Sequence, residues 1–168
     1  DIVIHYHHSK EAAQALCQEF NAVRANSAHL VNADLTDLES IDELARQTVT
    51  CFGRLDILIN NASSFYPTTL GSITISQAND LIATNMTAPL FLSQALAPSL
   101  SAHNGVIINM CDIHAQKPLK DHTLYCMAKA GLQMMTLSLA NELAPKVRVN
   151  AIAPGAIIWP SGGISAQD

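Results

Sequence analysis

Tyr125 and Lys129 stand four residues apart in Tyr125-Cys126-Met127-Ala128-Lys129. On a helix that spacing sets a phenol and an ammonium one turn apart on a single face. A free phenol titrates near pH ~10, so one that exchanges protons near neutrality needs a fixed cation beside it to favour phenolate. Lys129 is placed to be that cation, although the same pair also suits the surface of an ordinary amphipathic helix. Asp112 follows the apolar run Val106-Ile107-Ile108-Asn109-Met110 and lies thirteen residues before Tyr125. At the end of a strand it would sit beside the phenol, and it would equally serve as a turn cap. Asn60-Asn61-Ala62-Ser63 follows a second apolar run. Small residues and amides there admit a cofactor close to the backbone, or simply build a turn.

These side chains need elements to hold them. Apolar runs of strand length alternate with segments of helical period: strand 2-6, helix 9-23, strand 28-33, helix 37-51, strand 55-59, helix 75-100, strand 105-110, helix 123-143 and strand 147-152. The alternation predicts an α/β fold, a doubly wound parallel sheet with helices on both faces, because runs such as Val106-Ile107-Ile108 carry no polar face. In such a sheet ligands bind beyond the carboxyl ends of the strands, which directs attention to the loops after 6, 33, 59, 110 and 152. Pro89 and Pro98 are expected to bend or end the helix around them.

The 168 residues suit a single domain, 1-168, with 49% hydrophobic and 14% charged residues. Net charge is -5 with scattered Lys and Arg, which excludes the basic stripe of a nucleic-acid binder. No run approaches the length of a membrane span. Cys17, Cys51, Cys111 and Cys126 sit in apolar stretches without close pairing, so free thiols and a cytoplasmic location are expected. His29, His103, His114 and His122 lack the spacing of a metal site.

Taken in order, N-N-A-S at 60-63, Asn85, Y-C-M-A-K at 125-129 and V-R-V-N-A-I-A-P-G at 147-155 resemble the short-chain dehydrogenase/reductase family, whose fold is Rossmann-like. The resemblance implies that Tyr125 exchanges the proton, that Lys129 lowers its pKa and holds the nicotinamide ribose, and that Asn85 maintains a water or the helix geometry. Where the family usually has Ser, this chain has Asp112. That departure, together with Ser63-Ser64-Phe65-Tyr66-Pro67-Thr68, resembles the pteridine reductase branch, with Phe65 as the aromatic that stacks the pterin. His5-Tyr6-His7-His8-Ser9 is similar to the branch's H-Y-H-R-S, which grips the 2′-phosphate of NADP. His8 replaces the Arg, so His7, His8 and Ser9 imply NADPH with weakened preference. Asp34 and Leu35 resemble the pair that holds adenine, Asp34 being equally suited to a helix N-terminus. Asn61, Ala62, Ser63, Pro154 and Gly155 resemble the residues flanking the cofactor. Ser63, Phe65, Asp112 and Tyr125 would meet the substrate.

The family's first strand and Gly-rich turn are expected before Asp1, and its substrate-covering lid and last strand beyond Gly155, so the chain reads as truncated at both ends. Three functions follow. The first is an NADPH-dependent pteridine reductase acting on dihydrobiopterin, dihydromonapterin or dihydrofolate. The second is another carbonyl or enoyl reductase, for example of the 3-oxoacyl type. The third is an inactive truncated domain acting by association. A homo-oligomer, dimer or tetramer, is expected through helices 75-100 and 123-143.

Overall fold

The structure is a computed structural model that describes residues 1–155; the Ser161-Gly162-Gly163 stretch lies outside them. Strands β1 (Ile2–Tyr6), β2 (Ala28–Asn32), β3 (Ile57–Asn60), β4 (Val106–Met110) and β5 (Arg148–Ile152) alternate with helices α1 (Lys10–Val23), α2 (Ile41–Phe52), α3 (Ile75–Ile82), α4 (Ala88–Ala102) and α5 (Thr123–Glu142). All strand pairing between them is parallel. The expected α/β architecture is therefore present, with boundaries within four residues of those read from periodicity, the largest difference being the start of α2.

Two features depart from the expectation. The backbone ladder comes in two pieces, β1 against β2 and the trio β3-β4-β5. In the doubly wound order 3-2-1-4-5-6, these correspond to 3-2 and 4-5-6, and no described strand holds the central position. Helix α2 joins the pieces. It packs on both β2 and α4, and Ala45 enters the core of Leu58, Leu96, Leu100, Ile107, Val147 and Val149.

The expected helix 75-100 is the second departure. It is α3, then a π-helical turn over Ala83–Thr87, then α4. Pro89 has no N–H to give the Asn85 carbonyl, so the α-helical ladder loses a bond there and the turn widens. Pro98 lies inside α4 without ending it. Gly131 on α5 allows this turn to come close, because a Cβ there would meet the Met86 side chain.

Candidate active site

Strand β4 ends at Met110, and the chain turns through Cys111 and Asp112 into a short 3-10 turn, Ile113–Ala115. Asp112 caps that turn: its Oδ1 accepts from the His114 backbone N–H at 2.8 Å. Its Oδ2 accepts the Tyr125 hydroxyl at 2.7 Å. The two roles that the sequence left open are thus filled by the two oxygens of one carboxylate, and the cap is what aims the second oxygen.

Tyr125 sits in the first turn of α5 and is 5% exposed, and Lys129 is 3% exposed one turn on. Lys129 Nζ donates to the Met110 carbonyl at 2.9 Å and lies 5.6 Å from the Tyr125 ring centre. The electrostatics differ from the sequence expectation. Burial, then the bond to Asp112 and its charge, push the Tyr125 phenol well above its ordinary value, with the Ser63 hydroxyl opposing weakly. Burial lowers Lys129, with Cys111 and Asp112 working against it. In this arrangement Lys129 donates to the strand end, and burial together with the Asp112 carboxylate favours the protonated phenol.

The loop after β3 supplies the other wall. Ser63 Oγ donates to Asn85 Oδ1 at 2.6 Å, while Asn85 Nδ2 donates to the Ser64 carbonyl at 2.9 Å and the Leu81 carbonyl at 3.0 Å. Asn85 is 1% exposed in the π turn. Its side chain satisfies a helix carbonyl and simultaneously fixes the loop. Phe65 is 56% exposed and meets the Tyr125 ring edge-on at 4.8 Å. It also stacks on His122, with centroids 4.8 Å apart and planes at 16°. Asn61 and Ala62 lie exposed at the end of β3. The Pro154 carbonyl accepts from the Ile113 N–H, which brings Pro154 and Gly155 beside the Asp112 turn.

The residues read as gripping the nucleotide lie on the other ladder. Asn32 Nδ2 donates to the carbonyls of Tyr6 and His7, and His5 Nε2 donates to the Ala33 carbonyl, tying the ends of β1 and β2 together. His7 then comes within 3.7 Å of Asp34 and stacks on His8, with centroids 3.6 Å apart. Ser9 precedes α1, and its side chain makes no cap bond. Asp34 Oδ1 accepts from both the N–H and hydroxyl of Thr36, so it builds its own turn rather than capping a helix, and these bonds lower its pKa. Leu35 beside it is half-buried. Among the described residues no hydrogen bond joins this group to Tyr125.

Periodicity and motifs missed several participants. His122 carries Phe65 on its ring, and Nδ1 must bear the proton because it meets the Lys120 carbonyl at 2.7 Å. Asp80 takes the Tyr66 hydroxyl. A buried polar chain runs from Asn60 to Asn109 and on to Thr136, linking β3, β4 and α5. The only signal for that chain was an Asn inside each of two apolar runs.

Comparisons with known proteins identify the family of the chain. The family model for short chain dehydrogenases matches residues 1–160. The chain is 34% identical to pteridine reductase 1 of Leishmania tarentolae, an alignment covering 95% of this chain and 68% of the relative. It is 36% identical to an uncharacterized oxidoreductase of Mycobacterium tuberculosis, covering 94% and 60%. Against a 3-oxoacyl-(acyl-carrier-protein) reductase of Staphylococcus aureus the identity is 31%, covering 94% and 65%. The chain thus spans about two-thirds or less of the length of these relatives. With the family model matching almost end to end and the Tyr125–Lys129 pair on α5 set against the loop after β4, the chain belongs to the short-chain dehydrogenase/reductase family.

Proposed function

We propose that the protein is an NADPH-dependent pteridine reductase. The observation that carries this reading is the 2.7 Å bond from the Tyr125 hydroxyl to Asp112 Oδ2, with Phe65 packed edge-on against the same ring. A hydroxyl beside Tyr125 would serve a carbonyl substrate. A carboxylate serves a ring whose nitrogens must gain protons. The likeness to pteridine reductase 1 supports the reading.

The residues present suit the cofactor. The carboxyl ends of β1 and β2 offer His7, His8, Ser9, Asp34 and Leu35 to the nucleotide end, and the Ser9 hydroxyl makes no cap bond. Asn61, Ala62, Ser63, Lys129, Pro154 and Gly155 would flank the nicotinamide end. When bound, NADPH supplies the hydride. Tyr125 gives a proton to a ring nitrogen as general acid, and Asp112 at 2.7 Å returns one to it from solvent, which its half-buried carboxylate reaches. The exposed face of Phe65 offers a flat bicyclic ring a stacking surface. Substrates would be dihydrobiopterin, dihydromonapterin or dihydrofolate.

NADPH oxidation measured with dihydrobiopterin, and in parallel with a 3-oxoacyl thioester, tests this. Turnover of the pterin alone is the expected result, and turnover of the thioester alone would overturn it. Replacing His8 by Arg is expected to raise the preference for NADPH over NADH about tenfold, since a charged fork replaces one ring nitrogen.

Self-association through α4 and α5 belongs to the same proposal. Leu90 and Phe91 on α4, and Met127, Met134 and Leu137 on α5, are exposed apolar side chains. Met127 and Met134 lie seven residues apart, on one stripe of α5. Sedimentation equilibrium should give a dimer or tetramer, whereas a monomer would remove this part of the proposal. Among the described residues no helix is long and apolar enough to cross a membrane.

A further inference from the structure

Phe65 is exposed and sits on a loop, yet its ring is presented to Tyr125 and His122 in a defined way, and the residues flanking it explain how. Tyr66 donates its hydroxyl to Asp80 Oδ2 at 2.7 Å. Ser64 reaches Asp80 Oδ1 at 3.3 Å, and Thr84 reaches the same oxygen at 3.5 Å. Both neighbours of Phe65 therefore turn toward α3, leaving Phe65 turned the other way. The Ser64 and Tyr66 side chains are half-buried, in keeping with that division. Beyond Tyr66 the loop is fastened again, by the Thr68 N–H donating to the Asp121 carbonyl in a bridge that brings in the segment carrying His122.

We propose that Asp80 is a positioning residue that sets substrate specificity, holding Ser64 and Tyr66 so that Phe65 presents its ring as a platform beside Tyr125. Asn85 grips the backbone of the same loop but reaches only Ser63 and Ser64, so it does not fix the residue after Phe65. Asp80 does. Burial and this bond push the Tyr66 phenol up to about 12, so the donor that Asp80 needs stays protonated well above neutral pH. The consequence for turnover rests on the pteridine reading of the site, whereas the orientation of Phe65 does not.

The test has a structural and a kinetic arm. In the structural arm, 4-fluorophenylalanine is incorporated at Phe65 and its fluorine resonance is followed. Ring currents from His122 and Tyr125 should displace the resonance from its unfolded-chain position. Asp80→Ala should bring it most of the way back, while Asp80→Asn, whose amide oxygen still accepts from Tyr66 and whose NH2 can donate to Ser64, should keep it displaced. An unchanged resonance in folded Asp80→Ala would overturn the proposal. Should that variant not fold, the double variant Ser64→Ala with Tyr66→Phe removes only the two hydroxyls and carries the same expectation and the same overturning result.

In the kinetic arm, Asp80→Ala should raise KM for dihydrobiopterin about three- to tenfold, the worth of one aromatic stacking contact, with kcat less affected. In a Phe65→Ala background the same change should alter KM less than about twofold, because the group through which Asp80 acts is gone. Equal effects in both backgrounds would show a general structural role and overturn the proposal. Absence of pterin turnover by the wild type, with the fluorine results as expected, would sink the pteridine reading and leave the positioning role standing.

Discussion

Asp112 divides its two oxygens between a backbone N–H and a phenol, and this division makes its role testable. Asp112→Asn keeps one acceptor oxygen, turns the other into an amide donor and cannot carry a proton, so pterin reduction should fall about 10²-fold or more, the range for loss of a positioned acid-base group. Retention of most activity would show that protons reach Tyr125 by another route. The same variant should move the phenol. Burial and Asp112 raise Tyr125 above its ordinary value of 10.0, and with the carboxylate gone its ionisation, read from tyrosinate absorbance against a Tyr125→Phe control, should begin at lower pH. The sign of the coupling to stability follows. The folded protein holds the Tyr125 proton more tightly than the unfolded chain, so this contribution is complete below pH 10 and is lost as pH rises toward the folded-state pKa. Urea midpoints for the wild type should therefore drop above pH 10, and a flat profile there would contradict the shift. The Tyr125–Lys129 spacing and the Asp112 departure were legible in the sequence because they are local or follow a motif. The groups that hold the neighbouring side chains were not: His122 stacks on Phe65, Asp80 takes the Tyr66 hydroxyl and the Met110 carbonyl takes Lys129, through packing that leaves no period in the chain.

At the scale of elements, periodicity found every strand because apolar side chains on both faces of a parallel sheet give continuous runs, and it found the helices by their 3.6-residue repeat. It merged α3 and α4 into one helix. Pro89 marked a disturbance, but whether a missing N–H yields a bend, a stop or a π turn depends on tertiary packing, and the Asn85 side-chain bond to the Leu81 carbonyl within that turn leaves no pattern in the chain. The buried polar chain is the other feature that pattern could not supply. Asn109 is fully buried in the middle strand, accepts from Asn60 at 2.8 Å and donates to Thr136 at 2.9 Å. An Asn in an apolar run reads as an interruption until its partners on β3 and α5 are known. Asn109→Leu keeps the branching at Cγ with a larger side chain and leaves the Asn60 amide only its 3.4 Å contact to Ser93, so it should cost about 1–3 kcal/mol in urea unfolding. It should also loosen the strand ends that carry the Asn61–Ser63 loop and Asp112. An unchanged midpoint would mean that water replaces Asn109 without loss.

Across the described residues, uneven burial predicts uneven stability. Strand β4 is paired on both sides, with Ile107 and Asn109 at 0% exposure, and is covered by α4 and α5. Among the described residues, strands β1 and β2 pair only with each other. Helix α1, which covers them, contributes a single buried residue, Ala13, and leaves Leu16, Phe20 and Val23 exposed. Their link to the main core is α2. Local opening costs least where few apolar contacts must be broken, so amides of β1 and β2 should exchange hydrogen faster than those of β4, and together as one unit. Equal protection would mean that α2 makes the two ladders a single cooperative body. A cofactor that spans from His7–Ser9 and Asp34 to Tyr125 and Lys129 would touch both ladders at once. It would stabilise only the state in which both are formed. Adding NADPH should therefore slow exchange in β1 and β2 more than in β4, and protection confined to the β3–β5 loops would mean that the His7–His8–Asp34 group takes no part in holding the nucleotide.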